Sequence, residues 1–323
     1  MQKEKVIVVG GGPCGLSAAI ELKNKGFNPL VIEKGNIVNA IYLYPTHQTF
    51  FSSSEKLEIG GVPFIIEQHK PKRNQALVYY REVVKRKELR INRYEKVEQV
   101  SKKGDLFHVN TSKGLYQTEN VVIATGYYDH PNHLGIKGST LDKVHHYFKE
   151  AHPYFDMDIA VIGGKNSAVD AAIELHKAGA RVTVIYRGEE YSKSIKPWIL
   201  PEFEALVKNG SVKMEFNAHV REIQPDKLFY QQNGIDYEIK NDAVFAMIGY
   251  HPDHSFLEKM GVDIDHSTGR PIYHPETMET NVSGIFIAGV IAAGNNANEI
   301  FIENGRFHGG QIAEALTAMK SRI

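Results

Sequence analysis

The chain has 323 residues, in which 38 lysines and arginines balance 38 aspartates and glutamates, and it contains one cysteine. This length predicts about two domains, and a hydrophobic content of 42% is enough to bury a core in each. Zero net charge provides no general field for nucleic acid, and the basic run Arg81–Arg93 is expected to be a solvated helix face. A single cysteine excludes an internal disulfide and a thiolate-rich metal site, so we expect no metal.

The amino terminus carries no pattern of an export signal. Residues 1–5 lead directly into the apolar segment Val6–Val9, without a cationic region, a long apolar stretch or a cleavage site. No apolar run approaches the ~18 residues that a membrane span requires. We therefore expect a cytoplasmic protein without a membrane partner.

The first forty residues contain one strand–turn–helix–strand pattern. Its parts, in chain order, are Val6–Gly15, Leu16–Lys25, Pro29–Ile32 and the acid Glu33. Glycines at Gly10, Gly12 and Gly15 allow a tight turn, close approach of the backbone to a pyrophosphate and helix–strand contact. Glu33 suits a ribose with a free 2′-hydroxyl. The pattern predicts a site for FAD or NAD.

A second copy of this pattern begins near the middle of the chain. It consists of Ile159–Ala168, the helical segment Val169–Ala178 and the strand Val182–Ile185. Lys165 and Ala168 replace the second and third glycines, so the motif is weaker. Tyr186 stands where the first copy has Glu33, and the cations that follow, Arg187, Lys193 and Lys196, suit an adenosine 2′-phosphate. The second copy therefore predicts an NADPH site.

Further strand-like segments follow each copy. The segments Asn120–Gly126, Asp242–Gly249 and Thr280–Gly289 are apolar and end in glycine, and Asn304–Met319 has helical spacing. Their order suggests a first domain that resumes after the second. The start of the last predicted helix, near Asn304–Gly305, is expected either to stabilise negative charge on a reduced flavin or simply to close the sheet.

Taken together, these segments resemble the thioredoxin reductase-like class of two-dinucleotide flavoproteins. The resemblance is carried by ATG at Ala124–Gly126, IGYHP at Ile248–Pro252 and GIFIAG at Gly284–Gly289. The chain most closely resembles the bacillithiol disulfide reductases, in GGGPCG, HYFKEAHPYF and GVIAAGNNANEIFIENGRFHG. This implies an α/β fold with two Rossmann-like domains, in which an NADPH domain (129–248) is inserted into an FAD domain (1–128 and 249–323).

The resemblance also implies the residues that bind each cofactor. For FAD these are Gly10, Gly12, Pro13, Cys14, Gly15, Glu33, Lys34, Val97, Ala124, Thr125, Gly126, Gly289 and Val290. For NADPH they are Gly163, Gly164, Lys165, Asn166, Ser167, Arg187 and Lys193. The chain departs from the class at two places. It has no Cys-x-x-Cys at His152–Asp158, and it has Val290 where an aspartate usually binds the ribityl chain.

Cys14 is the candidate catalytic residue. It lies at a predicted helix start, where free N–H groups can lower a thiol pKa, and a thiolate there would attack a small disulfide. A phosphate bound beside Cys14 would instead raise the pKa of this thiol. The alternative is that Cys14 only fills a small space above the pyrophosphate, as Ser167 would in the second copy.

The resemblance implies NADPH-dependent, FAD-mediated reduction of a low-molecular-weight disulfide, most closely bacillithiol disulfide, by a possible homo-oligomer. One alternative is a ferredoxin or flavodoxin NADP reductase. Against it, we expect no basic face for an acidic redox protein and, with the given sequence ending at Ile323, no extension over the flavin. The other alternative is a non-catalytic sensor that binds NADPH and FAD and signals through Cys14.

Overall fold

The computed structural model describes residues 2–296 and 298–320. The chain forms two compact units. Unit 1 consists of residues 1–42, 47–130 and 251–323, and unit 2 consists of residues 43–46 and 131–250. Residues 1, 297 and 321–323, which fall within the predicted FAD ranges, lie outside the described residues.

Both units contain helices and strands. Before residue 131 they are β1 (Gln2–Val9), α1 (Pro13–Asn24), β2 (Leu30–Glu33), α2 (Asn39–Leu43), α3 (Arg73–Arg86), β3 (Arg90–Arg93), β4 (Val97–Lys103), β5 (Leu106–Thr111) and β6 (Gly114–Ile123). Residues 131–250 contain β7 (Val144–His145), β8 (Asp158–Ile162), α4 (Asn166–Lys177), β9 (Arg181–Ile185), α5 (Leu200–Lys208), β10 (Val212–Glu215), β11 (Ala218–Ile223), β12 (Lys227–Gln232), β13 (Ile235–Lys240) and β14 (Ala243–Ala246). The last part contains α6 (His254–Glu258), β15 (Ile264–Asp265), β16 (Arg270–Pro271), β17 (Ile285–Ile287), α7 (Ile302–Gly305) and α8 (His308–Lys320).

Unit 1 is built around a mixed sheet with strand order β3-β2-β1-β6-β5-β4. Strands β3, β2, β1 and β6 run parallel, and β4 and β5 extend the sheet in antiparallel pairing. Late in the chain, β17 pairs in parallel with the end of β6. Strand β2 (LVIE) is buried along its whole length, as expected for a parallel strand covered on both faces. The carboxyl ends of β1, β2 and β6 therefore meet at one edge of the sheet.

Unit 2 repeats this plan with a parallel sheet of order β10-β9-β8-β14-β7. Helix α4 packs on β8 and β9 through buried alanines and aliphatic side chains, including Ala168, Val169 and Ile173. A separate antiparallel sheet, β11-β12-β13, belongs to the same unit. The predicted α/β class with Rossmann-like parallel strands in both units is confirmed.

Two helices differ from their predicted bounds. Helix α1 begins at Pro13 rather than Leu16, because proline fits the first helical position, where its missing N–H costs nothing. The prediction of a single helix over Asn304–Met319 is wrong, because this segment contains parts of two separate helices, α7 and α8. At the junction between them, the Arg306 carbonyl accepts a hydrogen bond from the Ser17 hydroxyl at 2.7 Å. The proposed helix start near Asn304–Gly305 therefore lies inside a four-residue helix.

In the part of the chain that the structure describes, no helix combines the length and apolar character that crossing a bilayer requires.

Candidate functional site

The first glycine turn joins β1 to α1 at the carboxyl edge of the unit 1 sheet. Gly10 has φ +110°, and a Cβ there would overlap the Ala124 carbonyl oxygen. A Cβ at Gly15 would overlap the Gly10 carbonyl oxygen, so helix and strand touch through their backbones. Gly12 differs, because a Cβ there would meet no atom within 4 Å. Two glycines thus build the turn, while the third leaves open space beside the start of α1.

Glu33 ends β2 beside this turn. Its carboxylate is buried and accepts hydrogen bonds from the backbone N–H groups of Gly11 and Gly35, both at 2.7 Å. A Cβ at Gly11 would lie 3.1 Å from the Glu33 Cβ, so the glycine permits this approach. Each carboxylate oxygen keeps a further lone pair for a ribose hydroxyl. The carboxylate is thereby fixed in orientation before any ligand binds.

The end of β6 provides a polar group without a protein partner. The Thr125 hydroxyl oxygen is buried and, within the described residues, has no hydrogen-bond partner. Its backbone nitrogen lies 3.2 Å from the position of a Cβ at Gly10, so the hydroxyl belongs to the same turn. A buried, unsatisfied hydroxyl costs free energy unless a ligand or water completes it. This group and the open space at Gly12 fit the FAD that the sequence predicts here.

The remaining predicted FAD residues of the first chain segment have different surroundings. Pro13 is the first residue of α1, and Gly126, with φ +72°, follows Thr125. Lys34 forms a salt bridge with Asp129, and burial lowers the pKa of its ammonium group. The side chain of Val97 is buried in the core at the start of β4, so only its backbone can offer polar groups.

Gly289 is the N-cap residue, and Val290 the first residue, of a short 3₁₀ helix that follows β17. Gly289 has φ +80°, and its N–H donates to Nδ1 of His308 at 3.1 Å. This bond places the proton of a neutral imidazole on Nε2, and burial lowers the pKa of His308. Val290 provides no carboxylate, in agreement with the departure seen in the sequence. His308 was missed because neither spacing nor motif marks it.

Cys14 faces the same connection. Its sulfur lies 3.1 Å and 3.0 Å from the positions that a Cβ would take at Gly289 and Gly305, so side chains at these glycines would press on the thiol. The residue as a whole is half-buried, but its thiol is enclosed, and burial raises the pKa of Cys14 to about 12. At neutral pH such a thiol stays protonated. This geometry favours the packing role over the nucleophilic one.

The second glycine turn, between β8 and α4, repeats the backbone of the first. Gly163 has φ +136°, and a Cβ there would overlap the Met247 carbonyl oxygen, as at Gly10. The end of the following strand differs, because the ring of Tyr186 lies against Gly164 and Gly188, where any Cβ would collide with it. An aromatic ring therefore stands where the first copy has a carboxylate.

Cationic side chains surround this second turn. Lys165 is the N-cap residue of α4, and Lys165, Arg187 and Lys193 are all exposed. Among the described residues, no carboxylate forms a salt bridge with Arg187. Ser167 is exposed in the first turn of α4, whereas the side-chain amide of Asn166 is hydrogen-bonded to the backbone of residues 194 and 196. Exposed cations at a helix N-terminus suit a phosphorylated ligand such as NADPH.

Metal-ligating side chains do not assemble in the described part of the chain, where no group of three or more histidines, cysteines or carboxylates is placed to hold an ion.

The chain is similar to known proteins along almost its whole length. A family model described as pyridine nucleotide-disulphide oxidoreductase matches residues 7–289. The bacilliredoxin reductase Bdr of Bacillus subtilis is 67% identical over 315 residues, which cover 97% of each chain. The solved structure of the bacillithiol disulfide reductase Bdr of Bacillus cereus is 66% identical, with a TM-score of 0.97 over 98% of this chain and 100% of that one. A thioredoxin reductase of T. acidophilum, 22% identical with a TM-score of 0.80 over 99% and 100%, shares the fold.

Proposed function

Because the chain belongs to the pyridine nucleotide-disulphide oxidoreductase family, we propose that it reduces bacillithiol disulfide with electrons from NADPH. It is an oxidoreductase with FAD and NADPH as cofactors, and the predicted resemblance to the bacillithiol disulfide reductases is confirmed. The observation that carries the substrate proposal is the 66% identity to the bacillithiol disulfide reductase of B. cereus. In this reaction one NADPH and one proton are consumed, and the S–S bond is cleaved to two thiols.

We assign FAD to unit 1 and NADPH to unit 2. The fixed carboxylate of Glu33, the open space at Gly12 and the unpartnered Thr125 hydroxyl support the first assignment. The exposed cations Arg187 and Lys193 support the second. When bound, FAD accepts the hydride of NADPH and passes two electrons to the acceptor. The protein groups named here bind and orient the cofactors.

Cys14 remains the candidate for any step that uses a protein thiol. A nucleophilic Cys14 would have to become a thiolate, and its enclosed sulfur with a raised pKa supports the packing role instead. Cys14→Ala separates the two. A nucleophilic role predicts that disulfide turnover falls at least about 100-fold while FAD is retained. A packing role predicts turnover within about threefold of the wild type.

The test of the proposed function is NADPH oxidation by the purified FAD-loaded protein with several acceptors. We expect turnover with bacillithiol disulfide and a weaker response to glutathione disulfide and cystine. The name of the B. subtilis relative points to a second acceptor, the protein bacilliredoxin, so its disulfide form belongs in the same assay. Turnover with ferredoxin or flavodoxin alone would contradict the proposal, and no turnover with any acceptor would favour a sensor.

We further propose that the protein works in the cytoplasm, because an NADPH-driven disulfide reductase serves a reducing compartment. A homo-oligomer also stays a proposal, which size-exclusion chromatography with light scattering would test.

A further inference from the structure

The side chain of Asn166 ties the start of α4 to a distant loop. Its Nδ2 donates to the carbonyl oxygen of Ser194 at 2.8 Å, and its Oδ1 accepts from the backbone N–H of Lys196 at 2.9 Å. Both bonds span about 30 residues and connect the helix to the loop 186–199 between β9 and α5. One amide group is therefore hydrogen-bonded to the loop backbone at two positions, Ser194 and Lys196.

The matching position in the first glycine turn has no such group. Counting from the first glycine of each turn, Asn166 corresponds to Pro13, and both are the first residue of their helix. Proline suits this position for helix formation alone. The asparagine adds a polar side chain whose two ends already bond to the loop. This use differs from the direct cofactor contact that the sequence predicts for Asn166.

The tethered loop carries the cations of the predicted 2′-phosphate site. Lys193 and Lys196 flank Ser194 along the chain, and Lys193 is exposed. The loop has further anchors, among them the buried side chain of Ile195, the ring contacts of Tyr191 with Phe203 and Phe216, and a hydrogen bond from the Asn217 N–H to the Gly188 carbonyl oxygen. None of these anchors connects the loop to the first turn of α4. The Asn166 amide does, and it fixes the distance between the lysines and the helix N-terminus.

We propose that Asn166 is a positioning residue for coenzyme specificity, which holds the lysine-bearing loop beside the start of α4 so that its cations meet the 2′-phosphate of NADPH. The inference rests on the proposed NADPH site in unit 2. Asn166 acts through the loop, so its effect is confined to ligands that carry the 2′-phosphate. NADH, which lacks this group, gains little from the tether.

The test compares Asn166→Ala with a matched amide in unit 1. Asn281 also accepts from one backbone N–H (Asp263, 2.9 Å) and donates to one carbonyl (Gly261, 2.9 Å), so Asn281→Ala removes the same pair of bonds elsewhere. We expect Asn166→Ala to raise KM for NADPH about tenfold, with kcat and KM for NADH within about twofold and FAD content unchanged. Asn281→Ala should change none of these values.

Two further measurements test whether Asn166 acts by holding the loop and its lysines in place. Hydrogen exchange of the Lys196 amide should become at least about tenfold faster in Asn166→Ala and stay unchanged in Asn281→Ala, whether or not NADPH is present. In a background of Lys193→Ala with Lys196→Ala, the effect of Asn166→Ala on KM for NADPH should disappear, since the tether then holds no cations.

Equal increases of KM for NADPH and NADH in Asn166→Ala would overturn the proposal, because they would place the amide at the pyrophosphate. An unchanged KM for NADPH with faster exchange of the Lys196 amide would overturn it as well, since the tether would then be irrelevant to binding. A different result is expected if the assignment of the NADPH site to unit 2 is itself wrong. In that case the wild type itself shows no preference for NADPH over NADH.

Discussion

The two glycine turns have the same backbone but different chemistry at the end of the next strand. Gly10 and Gly163 both adopt positive φ, and each approaches the carbonyl oxygen of the residue that follows a neighbouring strand, Ala124 in one unit and Met247 in the other. After the first turn comes a buried carboxylate held by two N–H groups, and after the second an aromatic ring followed by exposed Arg187. The turn geometry thus specifies a dinucleotide, and the strand end selects which one.

Helices α1 and α4 also differ in their first turns. Cys14 is enclosed by Gly289 and Gly305, whereas its counterpart Ser167 is exposed. Pro13 only starts its helix, whereas Asn166 holds a loop. In unit 1 the turn is closed by packing from the late chain, and in unit 2 it is surrounded by polar and cationic groups. The same motif therefore serves two different binding tasks.

The largest expected effect concerns the reactivity of a thiol at position 14 compared with one at the equivalent position 167. At pH 8, we expect iodoacetamide to alkylate Cys14 in the folded FAD-loaded protein about 1000-fold more slowly than a free thiol, because its pKa of about 12 leaves little thiolate. The rate should rise with pH well beyond 9, where a free thiol reaches its plateau. As the control, Cys14→Ala with Ser167→Cys places the only thiol at the exposed counterpart, which should react at least about 100-fold faster than Cys14. Rapid alkylation of Cys14 at pH 8 would show that the thiolate forms.

The next largest effect should come from a negative charge at Gly12 in the first turn or at the equivalent Lys165 in the second. Gly12→Asp has room for the side chain and a favourable N-cap position, but its charge opposes the pyrophosphate, so we expect FAD affinity to fall about 100-fold. Gly12→Asn, which has the same size without the charge, should retain FAD. Lys165→Asp should instead raise KM for NADPH and leave FAD content unchanged. Visible absorbance after desalting measures FAD, and loss of FAD from both Gly12 variants would point to shape rather than charge.

The smallest effect should come from the Ser17 contact at the junction between α7 and α8. Ser17→Ala removes the hydroxyl that donates to the Arg306 carbonyl oxygen, and Ser17 is 4% exposed. We expect the free energy of unfolding to fall by about 1 kcal/mol, measured by urea denaturation followed by circular dichroism. Ser283→Ala, which loses an exposed hydrogen bond to Glu279, should change it by less than about 0.5 kcal/mol. Equal changes in the two variants would mean that the Ser17 contact contributes nothing specific.

Features that depend on residues close together in the sequence could be predicted from the sequence alone. Short patterns identify the glycines at 10, 12, 15 and 163, the acid Glu33 and the equal spacing of the two copies. The α/β class with parallel strands in both units follows from these patterns. What could not be predicted depends on contacts between distant residues. The Ser17 bond to Arg306 spans 289 positions, the Gly289 bond to His308 joins two elements near the end of the chain, and the enclosure of Cys14 needs both Gly289 and Gly305. No local pattern reports these contacts.

The distinction between the two turns is tested most directly by the coenzyme preference of Arg187→Glu. The measurement is the ratio of kcat/KM for NADPH to kcat/KM for NADH, in the wild type and in the variant, both loaded with FAD. We predict that the ratio falls about 100-fold in the variant, through KM for NADPH, while kcat/KM for NADH and FAD content stay within about twofold. An equal loss with both coenzymes, or a wild type that does not prefer NADPH, would contradict the assignment of the second turn.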